Sequence, residues 1–182
     1  MLVTSNRAGL SDEGNFRAPF KIKGNIMAKL DHLLQNLAEW DEDSLEAQLG
    51  SRTQSIGEDL TQSRSVSIED LAETPVPRGI IDDALVAGQR VFTFLNPTIY
   101  NLLCTPLGGE DADETLQELV KILDTNLDEN IAKAAGILTP FLTTNLGLAP
   151  AIAALVSLLI VKRVSKGVSG FTCDAWKKTL SN

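Results

Sequence analysis

Apolar residues return every three or four positions through most of this chain, the spacing that gathers side chains on one face of an α-helix. Ile26, Leu30, Leu33, Leu34 and Leu37 begin the pattern and Trp40 closes it, with Asn25 placed to cap the start. Asp41, Glu42 and Asp43 interrupt that helix, and Leu45 and Leu49 point to a short continuation. A second stripe runs through Ile81, Ala84, Leu85, Gly88, Val91, Phe92 and Leu95, with Asp82 and Asp83 in its first turn, where negative charge opposes the helix dipole. Asn96-Pro97 is then expected to stop this helix and open another carrying Ile99, Tyr100, Leu102 and Leu103, before Pro106, Gly108 and Gly109 break the chain. Leu116, Leu119, Val120, Leu123 and Leu127 give the cleanest helical series, and Asp111 with Glu114 has the form of a capping box. Asn126 with Glu129 repeats that start signal ahead of Ile131, Ala134, Ala135 and Leu138, a helix that Pro140 should kink or end. No useful length of strand-like alternation and no internal repeat is visible. The expected fold is all-α.

Two stretches depart from this rhythm. Residues 50–78 are rich in Ser, Thr, Gln and Arg and close on Pro75 and Pro77, which reads as a flexible linker; only Ile68 and Leu71 suggest a helical turn there. Residues 1–25 mix Ser, Asn, Gly, Arg and Pro without period and read as a disordered arm. The organisation that follows is an arm at 1–25, an amphipathic helical element at 26–49, a linker at 50–78 and a helical domain at 79–182. The amphipathic element is expected to stand apart from that domain.

The run from Ala134 to Val161 contains no charged residue, and Ala149 to Val161 is apolar nearly all round, with only Ser157 polar in its interior. A helix without a polar face belongs either at the centre of a bundle or in a membrane. Thr143, Thr144, Asn145, Gly147 and Pro150 divide the run into two legs, 137–146 and 149–161, each short beside the roughly 20 residues of a spanning helix. Its Leu, Ile, Val and Phe side chains would each contribute roughly 1.5–3 kcal/mol on burial. The reading adopted is a bundle whose central helix, at about 149–166, is nearly all apolar. The alternative is a hydrophobic hairpin at 137–161 that inserts into a membrane.

Charge sharpens both readings. The net charge is −8, which argues against nucleic acid as a partner. All acidic residues except Asp12, Glu13 and Asp174 lie between residues 27 and 133, whereas Lys162, Arg163, Lys166, Lys177 and Lys178 make the C-terminal end basic. After Gly167 and Gly170, Phe171, Ala175 and Trp176 give one apolar face to a last short helix. On the membrane reading, Lys162, Arg163, Lys166, Trp176, Lys177 and Lys178 are the candidate interface residues. On the core reading, Trp176 is an aromatic lid beside solvated lysines.

Candidate chemistry is sparse. His32 is the only histidine and falls on the polar side of the first helix; a catalytic triad would have to use it and nothing recommends it, and a zinc site of the usual Cys and His types lacks the ligands. Asp124, Asn126, Asp128 and Asn130 alternate as in a calcium loop, but Glu129 and Ala135 occupy the positions that need glycine and glutamate, and helix capping explains these residues better. Gly108-Gly109 lacks the remaining residues of a phosphate loop. Asp82 and Asp83 point about 100° apart, poorly placed for a shared acid–base pair. Arg64-Ser65-Val66-Ser67 is a possible acceptor of phosphate only in the sense that any Ser-rich tether is. Cys104 and Cys173 lie outside any Cys-x-x-Cys spacing and are read as reduced, buried or half-buried thiols. With no apolar signal segment near the start, a cytoplasmic protein is expected, or one associated with a membrane from the cytoplasmic side.

No cofactor and no enzymatic activity are therefore expected. The function read from the sequence is a non-enzymatic helical interaction or adaptor protein that binds a protein partner or itself. The candidate binding residues are Leu30, Leu33, Leu34, Leu37 and Trp40, docking in cis or in trans.

Overall fold

A computed structural model describes residues 20–56, 81–123, 127–166 and 172–180, with side chains described for 29–54, 82–123, 130–166 and 172–180. Among the described residues there are seven α-helices and no strand: α1 Phe20–Ala38, α2 Glu42–Ile56, α3 Ile81–Cys104, α4 Gly109–Leu123, α5 Leu127–Leu146, α6 Pro150–Ser165 and α7 Cys173–Thr179, with a 3₁₀ turn at Pro106–Gly108. The protein is an all-α bundle.

Its centre is α6. Every residue from Ala151 to Val161 is buried, and so is Val164. Pro150 opens the helix with the φ it already prefers, and Gly147, at φ 65°, turns the chain back from α5 in a three-residue connection. The other helices supply the cover: α5 and α1 on one side, α2 on another, and α7 over part of the remainder. Inside this apolar shell Thr139 Oγ1 donates to the Ala135 carbonyl at 2.7 Å and lies 3.4 Å from Ser157 Oγ, whose hydroxyl can donate to it in turn.

Several expected boundaries move, each for a packing reason. Asn96-Pro97 does not divide α3, which runs through Pro97 to Cys104. The buried stripe Ala84, Phe92, Leu95, Ile99 and Leu103 continues in register across the proline, and Pro97 itself faces solvent, so its missing N–H lies on the wet side of the helix. Pro140 is likewise exposed and inside α5. α4 begins at Gly109, so Asp111 sits inside the first turn and not at the cap. α1 begins at Phe20, ahead of the expected Asn25 cap.

The largest difference concerns the N-terminal element. The leucines of α1 and α2 belong to the same buried cluster as the apolar residues of α3 to α7, so 26–49 does not stand apart from a 79–182 domain. The 50–78 linker is also displaced: α2 continues to Ile56, and Gly50 is a buried helix–helix contact. A Cβ on Gly50 would lie within 2.6 Å of the Gly88 nitrogen and closer still to the Ala84 carbonyl oxygen. A Cβ on Gly88 would in turn meet the Glu46 carbonyl group. Residues 46 and 50 thus face 88 and 84, so α2 and α3 run antiparallel with their backbones touching. Residues 57–80, with Ile68, Leu71 and the Arg64–Ser67 motif, lie outside the described residues, as do 1–19.

Candidate functional site

The candidate partner-binding residues are already engaged. Leu30, Leu33, Leu34 and Leu37 are buried against the α5–α6 side of the core, and Trp40 is half-buried at the turn after α1. The amphipathic stripe docks in cis, because an apolar face of this width gains more by covering α6 than by remaining in water.

The basic residues after the apolar run meet acidic partners. Lys162 Nζ donates to the Trp40 carbonyl at 2.7 Å. Arg163 bonds Glu42 Oε2 at 3.3 Å and Glu46 Oε1 more tightly, and its guanidinium lies 4.4 Å from the centre of the Phe92 ring. Lys166 Nζ reaches Glu42 Oε1 at 2.5 Å. These contacts form a clasp between the first turns of α2 and the last turn of α6. They place cations at the negative end of one helix and anions at the positive end of the other. Glu46 is 1% exposed, so the clasp includes a carboxylate that has given up water and depends on Arg163 for compensation. The turn leading into it is capped by Asp41, whose Oδ1 accepts the Ser44 backbone N–H at 2.7 Å. Hydrogen bonds from the Ser44 hydroxyl and backbone hold the Asp41 carboxyl below its ordinary 3.8, with Lys162 adding a smaller pull.

Trp176 is not at a surface. It is fully buried, its indole Nε1 donates to Asn96 Oδ1 at 2.7 Å, and its ring meets Tyr100 edge-on at 5.8 Å. Asn96, Tyr100 and Cys104 recur at i, i+4 and i+8 on α3, so one helix face receives α7. Cys104 and Cys173 complete that seam as a disulfide with Cα atoms 5.7 Å apart. The expectation of two reduced thiols is corrected here: the residues are far apart in sequence, and only the return of α7 to the end of α3 brings them within bonding reach. Lys177 and Lys178 are exposed on the outer side of α7.

What the fold leaves uncovered lies elsewhere. Phe94 is 73% exposed and Val86 45% exposed on α3, with exposed Arg90 midway between them. The three residues follow i, i+4, i+8 spacing, and with Gln89 and Thr93 they line a shallow groove. Arg90 makes no ion pair among the described residues. The sequence carried a signal for this strip: Phe94 sits about 200° around the helix from Phe92, off the stripe that faces the core. Leu107, at 81% exposure, is a separate point on the 3₁₀ turn. Among the described residues no group of His, Cys, Asp and Glu side chains is arranged to hold a metal ion, and Asp124 and Asn126 lie outside them. Asn130 donates from Nδ2 to the Ile122 carbonyl at 3.1 Å, closing the end of α4 as a cap.

No protein-family description, curated protein or solved structure matches this chain.

Proposed function

We propose that the protein is a non-enzymatic helical interaction module whose docking face is the Val86–Arg90–Phe94 strip of α3. The supporting observation is the exposure of Phe94 on a helix whose position is otherwise fixed. Among the described residues Phe92, Phe141 and Trp176 are buried, whereas Phe94 is left largely in water beside a second exposed apolar residue. Helix-in-groove recognition uses apolar anchors at this spacing, and the single cation between them selects a carboxylate on the incoming segment. The partner on this reading is an amphipathic helix with an acidic residue between two apolar ones. The leucine stripe of α1 is the cover of the core and takes no part in it.

Site-specific photocrosslinking tests the proposal. A benzoylphenylalanine at position 94, in cells that make the protein, should give one discrete adduct that disappears when Arg90→Glu is added. The same probe at exposed Gln117 on α4 should give none. An adduct of twice the chain mass would assign a second copy as the partner. The same adduct at both positions, or none at 94, would remove the proposal.

A membrane-inserting reading has the α5–α6 hairpin behind it, since α6 is apolar on every side. Among the described residues, however, no helix is long and apolar enough to cross a membrane. Insertion would also have to open the Glu42–Glu46 clasp to free Lys162, Arg163 and Lys166. Flotation with vesicles containing anionic lipid decides this: protein that stays at the bottom of the gradient counts against insertion.

A further inference from the structure

We propose that the Cys104–Cys173 bridge makes α7 a thiol-releasable strap: reduction by a dithiol frees α7 and bares the α3 face that Trp176 covers, while α1 to α6 remain folded.

Three observations carry this. The specific attachment is concentrated, because disulfide, indole hydrogen bond and edge-on ring contact all join α7 to a single face of α3, at Cys104, Asn96 and Tyr100, and α7 also packs against α6. The strap is short: α7 has seven residues, capped by Thr172 Oγ1 accepting from the Ala175 N–H at 3.1 Å. A helix of that length does not persist alone in water, so α7 exists only while it is held. Finally, Cys104 and Cys173 are each half-buried, so the bridge lies at the edge of the core, and the central cover of α6 by α1, α2 and α5 does not involve either of them.

The step is ordinary thiol–disulfide exchange. A thiolate of the dithiol attacks one protein sulfur, breaking the Sγ–Sγ bond and forming a mixed disulfide. The second thiol of the reagent displaces the remaining protein thiolate. The protein gains two electrons and two protons as two thiols, and the dithiol leaves as its own disulfide. With the bridge closed, Trp176 is presented to Asn96 and Tyr100 at a high effective concentration, and that advantage ends when the bond is cut.

The chain has two tryptophans, so the indole N–H signals of Trp40, at the turn after α1, and Trp176, on α7, report two separate elements. The full-length protein is followed by NMR before and after dithiothreitol, with iodoacetamide mass labelling of aliquots to count free thiols. The expected result is no labelling before reduction and two labels after it. Trp176 Nε1–H should then move to the position of a free indole and exchange with solvent at least a hundredfold faster, while the Trp40 signal stays in place and the amides of α5 and α6 keep their protection. The Cys104→Ser/Cys173→Ser double variant should give the reduced spectrum without reagent. The proposal is overturned by any of three outcomes: labelling of both thiols before reduction, an unmoved Trp176 signal with both thiols labelled, or loss of α5 and α6 protection together with α7. The last would make the bridge a staple of the whole fold.

Discussion

Placing a methyl group between α2 and α3 gives the sharpest test of the packing. Alanine inside a helix is normally better than glycine by about 1 kcal/mol, so Gly50→Ala and Gly88→Ala should stabilise if nothing else intervenes. Here a Cβ on Gly50 would stand 2.6 Å from the Gly88 nitrogen, and one on Gly88 would stand 2.6 Å from the Glu46 carbonyl carbon, with carbonyl oxygens closer in both cases. Ordinary contact begins at 3.4 Å, so the two backbones must separate by at least about 0.8 Å. A gap of that size forfeits roughly a quarter to a half of each dispersion contact along the interface. Overpacking of this kind costs about 1–3 kcal/mol, and the upper end applies because backbone has no rotamer to yield. Each single variant should therefore lose about 2 kcal/mol net, read as a lower urea midpoint at unchanged slope. Since one separation relieves both sites, the double variant should lose clearly less than the sum of the singles. Gly136→Ala is the control: its Cβ would meet Asp31 Oδ1 at 3.5 Å and Leu34 Cδ1 at 3.6 Å, and that variant should gain up to about 1 kcal/mol. If Gly50→Ala and Gly88→Ala behave like Gly136→Ala, the close crossing of α2 and α3 is wrong.

Arg163→Met should cost about 2 kcal/mol by denaturant titration, because it strands the buried Glu46 carboxylate; adding Glu46→Gln should recover most of the loss, and additive single effects would refute the clasp. Asp41 has its folded pKa lowered by Ser44, so its contribution to stability is complete above the ordinary 3.8 and is lost as pH falls through the folded value. An NMR titration should place the Asp41 midpoint below that of an unfolded peptide, and Asp41→Asn should weaken the acid dependence of unfolding; a midpoint at or above 3.8 would contradict the cap. A chain starting at residue 81 lacks α1 and α2, which cover two sides of α6, and its circular-dichroism melt should lose cooperativity; a sharp melt near the parent Tm would mean that the α1–α2 cover is dispensable.

Much of the fold could be read from the residues in order. The helices and, among the described residues, the lack of strands follow from the spacing of apolar side chains, and Thr143 to Pro150 marks the hairpin between α5 and α6. Pro97 misled because a proline removes one hydrogen bond locally, while whether the helix continues depends on the many contacts of its far face, and α5 likewise continues through Pro140. Gly50 misled in the opposite way: glycine marks the end of a helix when nothing lies against it, and a helix crossing when a second backbone does. The candidate site was the least legible part. Leu30, Leu33, Leu34 and Leu37 have the pattern of a docking face, but a periodic stripe does not say whether its partner belongs to the same chain.

The sequence by itself determined that this chain makes helices and that one of them has no face fit for water. Those properties reside in neighbours a turn apart and in side-chain hydration. Only the tertiary structure decided which surfaces meet: Glu46 with Arg163, Trp176 with Asn96, and Cys104 with Cys173, while Phe94 is left largely exposed. Such pairings join residues separated by tens of positions, and they are set by how all the helices together can enclose α6. No local pattern contains that information.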